Sequence, residues 1–360
     1  MFIIRPGKSS EFPYALSVRG VGTEIAHYLV GYNRSSDLFY LTPHITFPTM
    51  ETLLNHYKST TIDGRLGLTK PRLPRVNPPL KLNDCKYDLG ELKILEKLGS
   101  GRFGVVSKAQ FGNVLMAVKR FRGVQCREAQ MMLVLQHPSI VQFLGIAEDP
   151  NDNSVIIMLE FMANGSLKHY LTKLGKSKFT YDDLIKMADR LAQGMVYLES
   201  LDIVHMELRA DNILVNKEGV VKISDFGLAQ ILGSDMNNKI EHFPARWTAP
   251  EIMLGETKCT TKCDVWSFGV LMFEILTCGM QPYEDLKTDE VKEAVLNGRR
   301  LPSPTKYGFE CHSRIYSLMQ SCWDVDPQKR PTFREIHANT RDSIINENMN
   351  YTNAVCIDED

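Results

Sequence analysis

The sequence lacks any apolar run near the roughly 18 residues a membrane-spanning helix needs, which excludes a helical membrane protein on composition alone. It lacks a charge bias: 42 Lys and Arg stand against 43 Asp and Glu, a net charge of −1. That balance gives no general electrostatic reason to bind nucleic acid or an acidic membrane surface. Its eight cysteines form no CxxC pair, and Cys259 and Cys263, four positions apart, have no histidines at metal spacing. They read as reduced thiols of a cytoplasmic protein rather than a disulfide framework or a zinc site. The start, Met-Phe-Ile-Ile-Arg, has neither the charged-then-apolar design of a signal peptide nor the glycine that myristoylation requires. No internal repeat is present. What remains is 43% hydrophobic content, enough for a sizeable core, in a length that fits two domains.

Local patterns divide the chain. Residues 1–70 carry short strand-like runs, Phe2–Arg5, Tyr14–Arg19, Ile25–Val30 and Leu38–Thr42, separated by turn-rich segments. An amphipathic helix is expected over Met50–Tyr57, with Leu53, Leu54 and Tyr57 at helical spacing and Thr49 as its cap. The stretch Lys70-Pro-Arg-Leu-Pro-Arg-Val-Asn-Pro-Pro is basic and Pro-rich, which favours an extended linker; Pro71–Pro74 also fits a weak ligand for a foreign SH3 domain. Strand signals then dominate to about residue 160 and helical patterns afterwards, for example Thr180–Leu198 and Asp264–Cys278. Strands followed by helices imply an α+β unit of two lobes.

The chemistry lies in an ordered series of motifs. Gly99-Ser100-Gly101-Arg-Phe-Gly104 follows the strand Leu92–Leu98. Alone this pattern is weak, but Val105–Gln110 and Val114–Lys119 read as two further strands, so the glycines close a hairpin rather than open a helix. Ala117-Val118-Lys119 ends the third strand, and Glu128 follows nine positions later. Residues 205–212 read His-Met-Glu-Leu-Arg-Ala-Asp-Asn, and Ser224-Asp225-Phe226-Gly227 lies beyond the strand Val220–Ile223, with Asp225 13 positions after Asn212. Thr248-Ala-Pro-Glu251, Asp264-Val-Trp-Ser-Phe-Gly269, Cys322-Trp323 and Arg330-Pro331-Thr332 complete the series.

These motifs and their spacing resemble a cytoplasmic tyrosine kinase of the Src, Csk and Tec group over essentially residues 1–335. The resemblance implies a bilobal α+β protein-kinase fold over 88–345, with a tail at 346–360, and ATP and Mg²⁺ as cofactors. Gly99, Ser100, Gly101 and Gly104 would cover the phosphates; Lys119, paired with Glu128, would hold the α- and β-phosphates. Asp225 and Asn212 would bind the metal. Val106, Ala117 and Leu214 would surround adenine, with Leu159 at the back pocket and Glu160, Phe161 and Met162 as the hinge. Met132, Phe143, His205 and Phe226 would stack in one column, and Glu251 and Arg330 would form a buried ion pair. Arg209, where serine/threonine kinases carry Lys, and Phe243-Pro-Ala-Arg-Trp247 resemble the tyrosine-specific forms, implying protein tyrosine as substrate.

Upstream, Phe2-Ile-Ile-Arg5, Tyr14-Ala-Leu-Ser-Val18, His27-Tyr28, Phe39-Tyr40, Phe47-Pro and His56-Tyr57 resemble an SH2 domain in that order. The resemblance makes residues 1–70 an SH2 domain lacking its first strand and helix, and 71–87 the linker. Arg5 would take a phosphate with its planar fork and His27 would flank the phosphotyrosine ring, giving phosphotyrosine proteins as partners. No SH3 domain is found.

The loop at 205–212 departs from the family frame H-R-D-L-x-x-x-N at two places. Glu207 stands for the Asp that accepts the substrate proton. It keeps the carboxylate but adds one methylene, displacing the oxygens by about 1 Å, which can cost on the order of 10²-fold in rate. Met206 stands for the Arg that pairs with a phosphorylated activation loop, and no tyrosine lies between Asp225 and Glu251, with Asn237 at the family's activating position. The two losses agree: this chain is not expected to be switched by activation-loop tyrosine phosphorylation. Two functions stay open, a tyrosine kinase of reduced activity with Glu207 as base, and an ATP-binding pseudokinase acting as scaffold or allosteric partner. Tyr351, twenty positions after Pro331, is either an ordinary tail tyrosine or a regulatory one.

Overall fold

The computed structural model describes residues 2–6, 14–19, 25–33, 36, 38–42, 44–62, 66–67, 85–101, 104–121, 127–152, 154–232, 243–255 and 260–355. The side chains of Arg5, His27, Ser100 and Tyr351, and all of Pro71–Pro74, Asn237 and Cys259, fall outside that set. The chain forms two compact units, Met1–Pro79 and Leu80–Asp360.

In the first unit, β1 (Phe2–Pro6), β2 (Tyr14–Arg19), β3 (Ile25–Asn33), β4 (Leu38–Thr42) and β5 (Ile45–Phe47) form one antiparallel sheet in sequential order. Leu16 and Val18, two apart on β2, share a face and are buried with Val30 and Phe47. The helix α1 (Met50–Ser59) covers that core with Leu53 and Tyr57, one turn apart. Thr49 caps it as expected: its hydroxyl accepts from Thr52 N at 3.1 Å, while Thr52 Oγ1 accepts from Thr49 N at 3.2 Å. A two-residue ladder, β6 (Thr61–Ile62) with β7 (Leu66–Gly67), ends the described part of this unit.

The second unit begins with β8 (Leu92–Gly101), β9 (Gly104–Phe111) and β10 (Val114–Phe121), then α2 (Arg127–Val134), β11 (Phe143–Asp149) and β12 (Ser154–Glu160). Their antiparallel sheet has the order β11-β12-β10-β9-β8, so β10, which carries Lys119, lies at the centre. The glycine run is a hairpin joining β8 to β9, not a helix start, with Gly101 opposite Gly104. Gly104 has φ of +135°, and a Cβ there would lie 2.1 Å from the Arg120 carbonyl, so only glycine fits.

Helices dominate afterwards: α3 (Leu167–Leu174), α4 (Tyr181–Ser200), α5 (Pro250–Met253), α6 (Thr261–Leu276), α7 (Thr288–Leu296), α8 (Ser313–Cys322) and α9 (Phe333–Val355). Between α4 and α5 run four short strands, β13 (Ile203–Val204), β14 (Ile213–Val215), β15 (Val221–Ile223) and β16 (Gln230–Ile231), pairing β13 with β16 and β14 with β15. Thr180 and Asp183 form a reciprocal cap that starts α4. Every residue of α6 from Cys263 to Leu276 is buried, as expected of a helix packed on all sides. The helix α9 continues past residue 345 to Val355. Among the described residues, no helix is long and apolar enough to cross a membrane.

Glu251 and Arg330 make the buried, two-pronged ion pair the sequence implied, Nη1 to Oε1 at 2.6 Å and Nη2 to Oε2 at 2.8 Å. Arg330 also donates to the Asp324 and Lys262 carbonyls, so removing it leaves the buried Glu251 carboxylate without its cation and removes two further hydrogen bonds. Arg330→Leu is expected to destabilise the folded chain by about 3–5 kcal/mol, read from the urea midpoint at constant slope. A change below about 1 kcal/mol would show that this pair does not anchor the fold.

Candidate active site

The site is built by the central strand β10, the hairpin above it and the loops around β14 and β15. Together they enclose a cleft of about 490 Å³. Gly99, Gly104, Val106, Ala117 and Leu214 line it, as do Leu159, Glu160 and Met162 from the end of β12 and the segment after it. Lys119, Glu128, Asn212 and Asp225 form its polar wall. Apart from its chain neighbours, Gly99 has no atom of the described residues within 4 Å of the place a Cβ would occupy.

Lys119 Nζ lies 2.8 Å from Glu128 Oε2, 3.0 Å from Oε1, and 2.9 Å from Asp225 Oδ1. Burial works against its charge, but the two carboxylates outweigh that and hold its pKa above the ordinary lysine value. The ammonium is therefore charged and aimed into the cleft at one fixed point. The eight-residue helix α2 delivers Glu128 from its first turn, nine positions after Lys119. Nine positions are thus enough to close the pair.

His205 organises the loop that follows. Its Nδ1 accepts from Glu207 N at 3.2 Å, so the proton sits on Nε2, which donates to the Ser224 carbonyl at 2.9 Å. Full burial lowers its pKa and keeps the ring neutral. Its ring meets Phe226 edge-on at 5.0 Å, and Met132 and Phe143 are buried in the same core. Asn212 Nδ2 donates to the Glu207 carbonyl at 2.8 Å, and the Asn212 carbonyl accepts from Ser224 N and Oγ at 2.9 and 2.8 Å. This ties the Asn212 loop to Asp225.

Met206 and Asp225 adopt left-handed φ values of 70° and 62°, a conformation that costs a side-chain-bearing residue about 1 kcal/mol or more. Asp264 holds the first of them: its Oδ2 accepts from His205 N at 2.6 Å and its Oδ1 from Met206 N at 2.9 Å. Burial pushes the Asp264 carboxyl up to about 7, against the pull of those two N–H groups.

The Met206 side chain lines an apolar cavity of about 30 Å³ with Leu228, Phe243, Ile252 and Cys263, whose thiol lies 3.7 Å from the Met206 sulfur. Where the family pattern has a cation, this chain has an apolar joint under the segment that ends in Trp247. That segment is pinned further by Arg246, donating to the carbonyls of Pro282, Tyr283 and Leu286.

Of the loop residues singled out from the sequence, Asn212 is in the cleft wall, whereas Glu207 and Arg209 are not part of it. Asp211 is, together with Val141, Gly165 and Ser166, and the sequence patterns singled out none of these four. Asp211 is a single loop residue with no periodicity, so its only sequence signal is its place before Asn212. Asn212 uses its Nδ2 internally, which leaves its Oδ1 as a hard oxygen donor beside the Asp225 carboxylate. That donor set fits a divalent cation next to phosphates. Among the described residues no cluster of three or more His, Cys, Asp or Glu forms a metal cage by itself.

The family described as protein tyrosine and serine/threonine kinase matches residues 92–340. Tyrosine-protein kinase SPK-1 of Girardia tigrina is 37% identical over 351 residues, which is 92% of this chain and 70% of that protein. Tyrosine-protein kinase FRK of Homo sapiens is 34% identical over 93% of this chain and 68% of its own length. Tyrosine-protein kinase Src64B of Drosophila melanogaster is 33% identical over 92% of this chain and 62% of its own length.

The Asp264 carboxyl gives a pH test of the loop. Its pKa is about 7 when folded and the usual value of about 3.9 once unfolded. The folded state therefore binds the extra proton between these values, and this group's contribution to stability is lost as pH rises to about 7. Relative to the wild type, Asp264→Asn is expected to gain about 2 kcal/mol between pH 5 and pH 8, measured by urea unfolding; the constant cost of its lost acceptor cancels in that difference. A stability difference that does not vary with pH would contradict the assignment.

Proposed function

Because this chain belongs to the protein tyrosine kinases, we propose that it is a non-receptor enzyme transferring the ATP γ-phosphate to protein tyrosine. The observation that carries this reading is the Lys119 ammonium, fixed between Glu128 and Asp225 in the wall of a nucleotide-sized cleft. Lys119 would hold the α- and β-phosphates under the Gly99–Gly104 hairpin, with the purine between Val106, Ala117 and Leu214. Asn212 and Asp225 would hold Mg²⁺, which neutralises phosphate charge when bound.

In the transfer, the tyrosine oxygen bonds to the γ-phosphorus as the bridge to ADP breaks, and the phenolic proton passes to Glu207. The Glu207 backbone is pinned from both sides, its N–H to His205 and its carbonyl to Asn212. The loop therefore has no freedom to slide back and absorb the additional methylene, and transfer is slow. The second reading, an ATP-binding scaffold without transfer, rests on Glu207 standing where the family frame has Asp.

The first unit is read as a shortened SH2 domain with Arg5 and His27 at its phosphotyrosine site, and the whole as a cytoplasmic signalling protein. Support for the module comes from its five sequential antiparallel strands followed by a helix and from relatives matched over 92–93% of the chain. The apolar joint at Met206 supports a loop that is held without phosphorylation.

Single-turnover transfer to a generic tyrosine peptide tests the enzyme reading. We expect measurable transfer by the wild type, about 10²-fold faster transfer by Glu207→Asp, and none by Lys119→Met. No transfer by the wild type, restored by Asp, would replace the enzyme with the scaffold.

A further inference from the structure

Asp211 has no role in the reading above, yet it lies in the cleft wall beside Asn212 and Ser166. Its Oδ2 accepts a hydrogen bond from Arg209 Nη2, and Lys168 Nζ, in the first turn of α3, stands 3.9 Å from the same oxygen. The Arg209 guanidinium carbon lies 4.0 Å from the centre of the Trp247 ring. Trp247 is fixed in turn, its Nε1 donating to Glu274 Oε2 at 2.8 Å and its carbonyl accepting from Ser267 Oγ at 2.7 Å.

Arg209 therefore sits between two carboxylates. Glu274 is fully buried, and its Oε2 also accepts from Ala210 N at 2.9 Å. Its Oε1 makes no hydrogen bond among the described residues, and neither does the buried Arg209 Nε. Glu274 is close enough to feel the Arg209 charge, which favours its ionised form, so Glu274 draws the guanidinium inward. Asp211 holds it by the other end, at the rim of the cleft.

We propose that Asp211 is a positioning residue for the acceptor substrate: it holds Arg209 over Trp247, where the guanidinium offers a flat cationic face to an incoming phenol, and keeps it off Glu274. The inference rests on the phosphotransfer reading for the identity of the acceptor. Arg209 lies outside the nucleotide wall while Asp211 lies in it, so the guanidinium belongs to the acceptor's side of the boundary. A planar cation already stacked on an indole suits an electron-rich aromatic hydroxyl, and a lysine would not reproduce it.

The test uses the full chain and two binding measurements: anisotropy of a labelled tyrosine peptide, and displacement of a fluorescent ATP analogue in the presence of Mg²⁺. Asp211→Ala is expected to weaken peptide binding about tenfold, several times more than it changes nucleotide affinity. Asp211→Glu should recover most of the loss. Glu274→Gln in the Asp211→Ala background should recover part of it, because the competing buried charge is gone. A merely structural role for Asp211 would weaken both ligands together and show neither rescue, which would overturn the proposal. So would peptide binding unchanged in Asp211→Ala, or absent in the wild type. Because binding is read without turnover, a wild type that binds both ligands with this split but transfers nothing would count against the enzyme reading alone.

Discussion

The Asp264 carboxylate is the constraint on which the site depends. It is buried on the all-buried helix α6, and its two oxygens accept the backbone N–H groups of His205 and Met206. That grip holds Met206 in a left-handed backbone it would otherwise leave. With Met206 turned, His205 can reach the Ser224 carbonyl, Glu207 N can reach His205, and Asn212 can close on Glu207. Each is an ordinary hydrogen bond of modest net worth, but they share residues, so the loop stands or shifts as one unit. The same helix supplies Glu274, which takes Trp247 and Ala210, so α6 positions both the loop and the segment facing it.

Charge is then placed with few free parameters. Two carboxylates and one ammonium meet between the central strand, α2 and the loop after β15, and the ammonium is the member with two partners. The chain departs from its family in the loop rather than in this apparatus. Met206 stands where the family frame has Arg and Glu207 where it has Asp, while Lys119, Glu128, Asn212 and Asp225 stand in the cleft wall.

Much of this was legible in the sequence where a local rule or a fixed spacing was at work. The Thr49 cap and the strand over Tyr14–Arg19 follow from local rules, and the pairs Lys119–Glu128 and Glu251–Arg330 from the family resemblance. Strand ends were less legible: β3 runs on to Asn33 and β8 through the first two glycines of the hairpin, because ladder partners extend them beyond their hydrophobic pattern. Asp211 and Glu274 were not legible as members of the site. One is a lone loop residue and the other a charged residue in an apolar helix, and their significance lies in a guanidinium brought between them by the fold.

The central claim is that Glu207, lengthened and pinned, still acts as the proton acceptor. The most direct test is rapid-quench phosphotransfer by Glu207→Gln, which keeps the length and shape of the side chain but has no basic carboxylate. The account predicts nucleotide binding equal to the wild type and transfer slower by at least about 10²-fold. Equal transfer rates for the two proteins would contradict it and move the proton acceptor elsewhere in the loop.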